Sequence, residues 1–112
     1  MKSEQQITQE IQLEVSKLGG RVFRNQTGKY KVGDRWISSG LCVGSSDLIG
    51  WFKRIEFDTV QDTAVFLAIE VKTAKGHIRP EQIKFINCVK EAGGIAFIAR
   101  SVEDVRRELC DQ

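Results

Sequence analysis

Two acidic residues and a lysine stand at spacings that suit metal-assisted hydrolysis. Glu70 and Lys72 close an apolar stretch rich in β-formers, Val65–Lys72. Side chains alternate along a strand, so Glu70 and Lys72 share one face and the apolar residues around them share the other. An acid and a base on an otherwise apolar strand are costly to bury without a purpose. A salt bridge at the end of the strand would also explain the pair, so this motif alone decides nothing.

Asp47 brings a second carboxylate to the same place. If Asp47–Ile55 and Val65–Lys72 pair as a hairpin, opposite residues have a constant index sum, and pairing Asp47 with Glu70 centres the turn between residues 58 and 59. That position is the middle of a polar stretch, as a turn requires. The Cβ atoms of Asp47 and Glu70 would then lie about 5 Å apart. Two carboxylates this close repel each other unless a proton or a cation lies between them.

The chemistry of these three residues points to a hard cation and a phosphate. Carboxylate oxygens favour Mg²⁺, which keeps part of its hydration shell where protein ligands are few. Lys72 beside such a cation could orient or help to deprotonate an attacking water, or stabilise the negative charge that grows on a phosphate. The cation itself can act as a Lewis acid and lower the pKa of a water. The residues therefore predict metal-dependent phosphodiester hydrolysis.

Three further polar residues are candidates for the same site. Glu4 falls about 25° from the centre of the apolar stripe of the first predicted helix and so points at the sheet, although a residue so near the terminus could simply be solvated. Gln82 lies in the first turn of the helix that Pro80 opens, where it could hold a water or a phosphate oxygen. His77 lies in the loop after Lys72, and a solvated histidine is the default interpretation there.

The elements that must position these residues follow the order helix, strand, ribbon, hairpin, helix, strand, helix. In chain order the sequence predicts them at Ser3–Leu18, Arg21–Arg24, Asn25–Gly44, Asp47–Ile55 with Val65–Lys72, Pro80–Ala92, Ile95–Ala99, and from Ser101 onward. The path from the hairpin through a helix to the last strand is a βαβ crossover, which implies a parallel pair beside the antiparallel hairpin. The predicted fold class is α/β, with a mixed β-sheet flanked by helices in one domain over residues 1–112.

Composition bounds the remaining possibilities. With 112 residues, 41% hydrophobic and 29% charged, and one proline, the chain is typical of a single globular domain and unlike a disordered or collagen-like protein. No apolar run approaches a membrane span, and the polar N-terminus is not a secretory signal. The three cysteines, Cys42, Cys88 and Cys110, are too far apart for a zinc or disulfide framework, and we interpret them as buried or incidental thiols of a reducing cytosol.

The basic residues are unevenly placed along the chain. The net charge is only +2, but the segment 17–35 holds six basic residues against one acid, an excess of +5, which leaves −3 for the rest. A basic, glycine-rich ribbon suits phosphate contacts, with a solvated loop as the alternative. No recognition helix or zinc finger is evident, so we expect recognition of DNA by shape. The predicted DNA-binding residues are Lys17, Arg21, Arg24, Asn25, Lys29, Lys31 and Arg35.

The same residues carry a family resemblance. Asp47 followed by Glu70-Val71-Lys72 resembles the PD-(D/E)xK nuclease signature, with Ser46 where the proline of that signature would stand. Nearly the whole chain resembles the virus-type replication–repair nuclease (VRR-NUC) family, in its stand-alone phage or prophage form. The pieces that carry this resemblance occur in order, namely a helix with an early Glu4, the glycine-bounded stretches Gly19–Gly28 and Gly44–Gly50, the Glu-x-Lys strand end, and Gly76 followed by Gln82.

The resemblance implies a restriction-endonuclease-like core and a nuclease dependent on Mg²⁺ or Mn²⁺. It assigns Glu4, Asp47 and Glu70 to the metal, Lys72 to the water or phosphate, and Gln82 to the support of the same site. Short members are similar to archaeal-type Holliday junction resolvases, which implies a homodimer that cuts four-way DNA junctions in the cytoplasm of a bacterial host. A nuclease acting on flaps or other duplex DNA, and a catalytically idle nucleic-acid-binding module, remain as alternatives.

Overall fold

A computed structural model describes residues 1–55 and 62–110, with the predicted elements in the predicted order. The predicted ribbon is a hairpin of two short strands. The elements are α1 (Glu4–Leu18), β1 (Gly20–Arg24), β2 (Gly28–Val32), β3 (Arg35–Ser39), β4 (Leu48–Ile55), β5 (Asp62–Val71), α2 (Pro80–Glu91), β6 (Ile95–Ala99) and α3 (Val102–Cys110).

Four strands form the mixed sheet that the sequence predicts. Their order is β1-β4-β5-β6, with antiparallel β1–β4 and β4–β5 pairs and a parallel β5–β6 pair. Leu48 lies opposite Ile69, so one step further along the hairpin brings Asp47 beside Glu70. The register predicted from the index sum is therefore confirmed, while the predicted turn centre at residues 58 and 59 lies outside the described residues.

Helices cover the two faces of the sheet with separate apolar clusters. On one face α1 and α3 pack against the sheet, and the largest fully buried side chains of this cluster include Ile11, Leu48, Leu67 and Ile69. On the other face Ile86 of α2 packs against Ala68 and Ala96 of the sheet. Strand β6 contributes residues to both clusters, which confirms that its uninterrupted apolar run is covered on both sides.

Helix α1 carries Glu4 and has well-defined ends. At its start the Ser3 hydroxyl accepts a hydrogen bond from the Gln6 amide at 3.2 Å, and the Gln6 side chain accepts one from the Ser3 amide at 2.9 Å. This reciprocal capping box fixes where the first turn begins. At the other end Gly19 adopts a left-handed conformation with φ of 110°, which ends the helix as predicted.

A buried acid on α1 ties this helix to α3. The Glu14 carboxylate accepts a hydrogen bond from Arg106 Nε at 3.0 Å, and this bond holds the pKa of Glu14 below its usual value. Because Arg106 lies on a different helix and far along the chain, helical periodicity gives no indication of this pair. The contact helps to fix α1, and with it Glu4, relative to the rest of the domain.

Strands β2 and β3 form a separate two-stranded sheet, the β2–β3 ribbon. Every residue of β2 is exposed, and the ribbon does not pair with the main sheet. The radius of gyration is 15.2 Å, compared with about 13 Å for a compact chain of this length. The ribbon therefore presents both of its faces to possible partners.

The cysteines are not paired in disulfides, and the helices are not of the membrane-spanning type in the part of the chain that the structure describes. All three cysteines, Cys42, Cys88 and Cys110, are free and exposed, so of the two interpretations, buried or incidental, the structure excludes burial. None of the described helices is both long enough and apolar enough to cross a bilayer.

Candidate active site

Two carboxylates meet where β4 begins and β5 ends. Asp47 immediately precedes β4, and Glu70 is the penultimate residue of β5 with only 2% of its surface exposed. Burial, followed by the hydrogen bond to Asp47 and the charge of Asp47, raises the pKa of Glu70 to about 8. The charge of Lys72 acts in the opposite direction, and the charge of Glu4 adds to the rise. Without a cation, therefore, the two carboxylates share a proton at neutral pH.

Hydrogen bonds from two neighbouring strands hold Asp47 in place. Its Oδ2 accepts a hydrogen bond from the Val71 amide at 2.9 Å, so the side chain is bound to the end of β5. Its carbonyl oxygen accepts one from the Asn25 amide at 2.7 Å, just beyond the end of β1. The side chain and the backbone of Asp47 are thus fixed by separate hydrogen bonds.

Two glycines, one on each side of Asp47, allow the backbone to lie against α2 and β1. Gly44 has a φ of +87°, and a Cβ there would lie 2.6 Å from the carbonyl oxygen of Glu81 in α2. A Cβ at Gly50 would lie 1.9 Å from the carbonyl oxygen of Arg21 in β1. Both distances are far inside van der Waals contact, so any larger residue would displace the backbone that carries Asp47.

Lys72 and Gln82 both reach the same oxygen of Glu70. The Lys72 Nζ lies 3.7 Å from Glu70 Oε2, and its side chain is 14% exposed. The Gln82 Nε2 donates to Glu70 Oε2 at 3.3 Å, while its Oε1 accepts from the Arg79 amide at 2.9 Å. Gln82 therefore links the start of α2 to the end of β5. The structure brings together Asp47, Glu70, Lys72 and Gln82, four of the predicted site residues.

Glu4 lies on the wall of a cavity that opens beside Asp47. The volume of the cavity is about 540 Å³, and its lining residues are mostly polar, namely Glu4, Thr8, Arg24, Asn25, Gln26, Thr27, Ser39, Asp47 and Arg79. In residues 1–55 and 62–110, no three acidic, histidine or cysteine side chains are grouped closely enough to form a complete metal site. Glu4 thus adds negative charge near the Asp47–Glu70 pair and contributes to the raised pKa of Glu70.

The donors present fit a hydrated hard cation. Asp47 and Glu70 supply carboxylate oxygens at one point, and both are held by protein hydrogen bonds. Mg²⁺ binds through one or two carboxylates and keeps several waters, so it does not need a third protein ligand. A cation between the carboxylates would also replace the proton that they otherwise share.

Comparison with known families agrees with this geometry. Residues 26–103 match the sequence model of the VRR-NUC domain. The chain belongs to the VRR-NUC family. The matched segment contains Asp47, Glu70, Lys72 and Gln82, and it begins after Glu4 and Asn25. No curated protein matches the chain. A VRR-NUC domain is a nuclease domain of the PD-(D/E)xK type, and domains of this type generally use divalent metals.

This VRR-NUC domain has Ser46 where the proline of the PD-(D/E)xK signature would stand. The residue is 1% exposed, and its hydroxyl has no hydrogen-bond partner within the described part of the chain. Its surroundings would therefore suit an apolar ring as well as a hydroxyl. Replacing the signature proline with Ser46 changes a packing contact next to Asp47. The Asp47 carboxylate itself is still held by its hydrogen bond from the Val71 amide.

Asn25 has a different position from the one expected for a DNA contact. It is 8% exposed; its Nδ2 donates to Ser45 Oγ at 2.8 Å and to the Ser46 carbonyl at 2.9 Å, and its Oδ1 accepts from the Leu41 amide at 3.0 Å. The side chain is thus engaged within the protein. Its contacts tie the loop before Asp47 to the end of β1, so the structure gives Asn25 a positioning role instead.

We expect Asn25→Ala to weaken Mn²⁺ binding about tenfold, because three loop contacts and their alignment are lost. Asn25→Asp keeps the shape of the residue but replaces the donor to Ser45 and Ser46 with an acceptor, and it should weaken binding to a similar extent. Calorimetric titration measures the affinity. Asn87→Ala, which removes an exposed amide from α2 away from the Asp47 cavity, is the matched control and should bind Mn²⁺ as the wild type does. Unchanged affinity in both Asn25 variants would contradict the positioning role.

The basic residues of segment 17–35 are distributed over four elements of the VRR-NUC domain. Lys17 lies in the last turn of α1, and Arg21 lies near the start of β1, where it donates to the Gly20 carbonyl at 2.8 Å. Arg24 lies at the other end of β1 and lines the Asp47 cavity. Lys29 and Lys31 belong to β2 and Arg35 to β3. Of these basic residues, Arg24 is the one that lines the Asp47 cavity.

Sequence reasoning did not identify Arg79, which also lines the Asp47 cavity. Its backbone is extended, with φ of −92° and ψ of 150°, as expected for a residue that precedes a proline. Its position immediately before Pro80 was the only feature of the sequence that indicated an extended residue at the start of α2.

His77 is exposed in the loop between β5 and α2, as the default interpretation predicts.

Proposed function

We propose that this VRR-NUC domain cleaves DNA phosphodiester bonds with Mg²⁺ or Mn²⁺ bound at Asp47 and Glu70. The observation that carries the proposal is the meeting of these two carboxylates at one end of the sheet, with Lys72 Nζ at 3.7 Å from Glu70. Such a group needs a proton or a cation to be stable. The family supplies the reaction class, since a VRR-NUC domain implies a nuclease.

Each residue has a definable part in the proposed reaction. Asp47 and Glu70 would hold the metal, with Glu4 adding charge from the cavity wall. The bound metal would supply Lewis-acid character and a water of lowered pKa. Lys72 would orient the attacking water or stabilise the charge that develops on the phosphate. Gln82 would keep the Glu70 carboxylate in position through the hydrogen bond at 3.3 Å.

We further propose that the substrate is branched DNA, in particular a four-way junction, and that a homodimer cuts it. The reaction would take place in the cytoplasm of a bacterial host, with the gene carried by a phage or prophage. The resemblance to junction resolvases supports this proposal. Exposed basic side chains on β1, β2 and β3 support phosphate contacts without base-specific reading.

Cleavage of a substrate panel tests the proposal. Labelled four-way junction, flap, nicked and linear duplex DNA are incubated with Mg²⁺, Mn²⁺ or EDTA. We expect metal-dependent cutting with the junction cut about tenfold faster than linear duplex. No cutting of any substrate by the wild type in either metal would contradict the nuclease proposal. Fastest cutting of the flap would contradict the junction alone, and a monomer at micromolar concentration in analytical ultracentrifugation would contradict the homodimer.

A further inference from the structure

The β2–β3 ribbon has two chemically different faces, and one of them is suited to nucleic acid. We propose that the face formed by Lys29, Lys31, Trp36 and Ser38, the lysine face, binds a DNA strand with unpaired bases next to the cleavage site. The inference depends on the proposed nuclease function but not on the four-way junction as its substrate, because a fully paired junction offers no unpaired bases.

The register of the ribbon determines the two faces. Lys29 lies opposite Ser38 and Lys31 opposite Trp36. Residues directly opposite each other in an antiparallel pair point to the same side, and so do residues two apart on one strand. The two lysines and the tryptophan therefore share a face. The opposite face carries Tyr30, Val32, Arg35 and Ile37.

The lysine face offers both contacts that a single strand requires. Trp36 is 69% exposed, and both lysines beside it are exposed. The face contains no acidic side chain, so its charge is complementary to phosphate. An aromatic ring stacks on any base whose π-face is free, whereas in an intact duplex both π-faces are covered by neighbouring base pairs. Trp36 next to two cations thus favours unpaired bases over a closed duplex.

Cavities connect the lysine face to the candidate active site. Lys29 and Ser38 line a cavity of about 450 Å³ at the base of the ribbon. Thr27, Ser39 and Arg79 line both this cavity and the one that contains Asp47. A strand lying along the lysine face would pass over Arg79 and reach the carboxylates. Ser39, which shares the opposite face with Ile37, also lines both cavities, so the choice of the lysine face rests on its two lysines and on Trp36.

Paired variants of the two aromatic residues test the proposal. Fluorescence anisotropy measures the Kd for a duplex with a single-stranded overhang and for a blunt duplex, in EDTA so that neither is cut. We expect Trp36→Ala to weaken overhang binding about tenfold and blunt-duplex binding less than about twofold. Tyr30→Ala, on the opposite face, should change neither Kd more than about twofold. Trp36→Phe keeps a ring and should recover most of the overhang affinity, which separates stacking from a loss of ribbon structure.

The double variant Lys29→Ala/Lys31→Ala tests the phosphate contacts. It should weaken binding to both DNAs. The plot of log K against log salt should also become less steep, its slope less negative by about 1 to 2, because two phosphate contacts are lost. Equal losses in Trp36→Ala and Tyr30→Ala, or equal losses on blunt and overhang DNA in Trp36→Ala, would overturn the proposal. If the wild type cuts DNA and Trp36→Ala binds overhang DNA as tightly as the wild type, this inference alone is wrong. If the wild type neither binds nor cuts DNA, the proposed function is wrong.

Discussion

Glu70→Gln is expected to lower the rate of metal-dependent DNA cleavage by about a thousandfold or more. The amide keeps the shape of the side chain and can accept from Gln82, but it carries no negative charge with which to hold a cation. Single-turnover cleavage under saturating metal measures the chemical step. The same variant should lose most of its Mn²⁺ affinity by calorimetry. Activity within tenfold of the wild type would show that the Asp47–Glu70 pair does not hold the catalytic metal.

Lys72→Ala should separate metal binding from chemistry. Removal of the Nζ that lies 3.7 Å from Glu70 takes away a charge that opposes the cation, so Mn²⁺ binding should be retained or strengthened. Cleavage should nevertheless fall by about a hundredfold or more, because the water or the phosphate loses its positioned cationic group. Lys75→Ala, which removes an exposed lysine from the following loop, is the matched control and should cleave at the wild-type rate. A Lys72→Ala variant that loses metal and activity together would instead give Lys72 a structural role.

The sequence predicts the central geometry because strand pairing is a strong constraint. One index sum places Asp47 beside Glu70, and the observed pairing of Leu48 with Ile69 agrees with it. A slip of one residue would turn the apolar face of β5 toward the wrong side of the sheet. The predicted α2 likewise begins at Pro80, where proline is favoured in the first helical turn. Alternation and helix-start signals were thus sufficient to bring the carboxylates, Lys72 and Gln82 together.

Contacts across the fold could not be predicted in the same way. Asn25 shares its local composition with exposed ribbon residues, and only the tertiary structure shows that Ser45, Ser46 and Leu41 surround its amide. The Glu14–Arg106 pair joins two helices far apart in the chain. Arg79 becomes a cavity residue because α2 packs beside the loop at Gly44. In each case the partner is set by packing between elements, which periodicity within one element does not encode.

The proton shared by Asp47 and Glu70 should make the stability of the metal-free protein depend on pH. The pKa of Glu70 is about 8 in the folded protein, above the ordinary value of 4.5 that the unfolded chain keeps. Between these two values the folded state binds a proton that the unfolded state has lost, so stability falls as pH rises from about 5 to about 8. Glu14 and Asp104 have lowered pKa values and titrate below this range. The melting temperature in EDTA should therefore decrease across the range in the wild type and stay nearly level in Glu70→Gln.

Cation binding should show the opposite dependence on pH because the metal and the proton compete for the same carboxylates. If one proton is released, the Mn²⁺ affinity should rise by about tenfold per pH unit between pH 6 and 8 and level off above pH 8. Calorimetry in buffers of different ionisation enthalpy counts the protons released, and we expect close to one at pH 7. Asp47→Asn removes the neighbouring charge that raises the pKa of Glu70, so its metal-free stability should vary less with pH. Metal binding without proton release, or affinity that stays constant from pH 6 to 8, would mean either that Glu70 is already ionised in the metal-free protein or that the cation binds elsewhere.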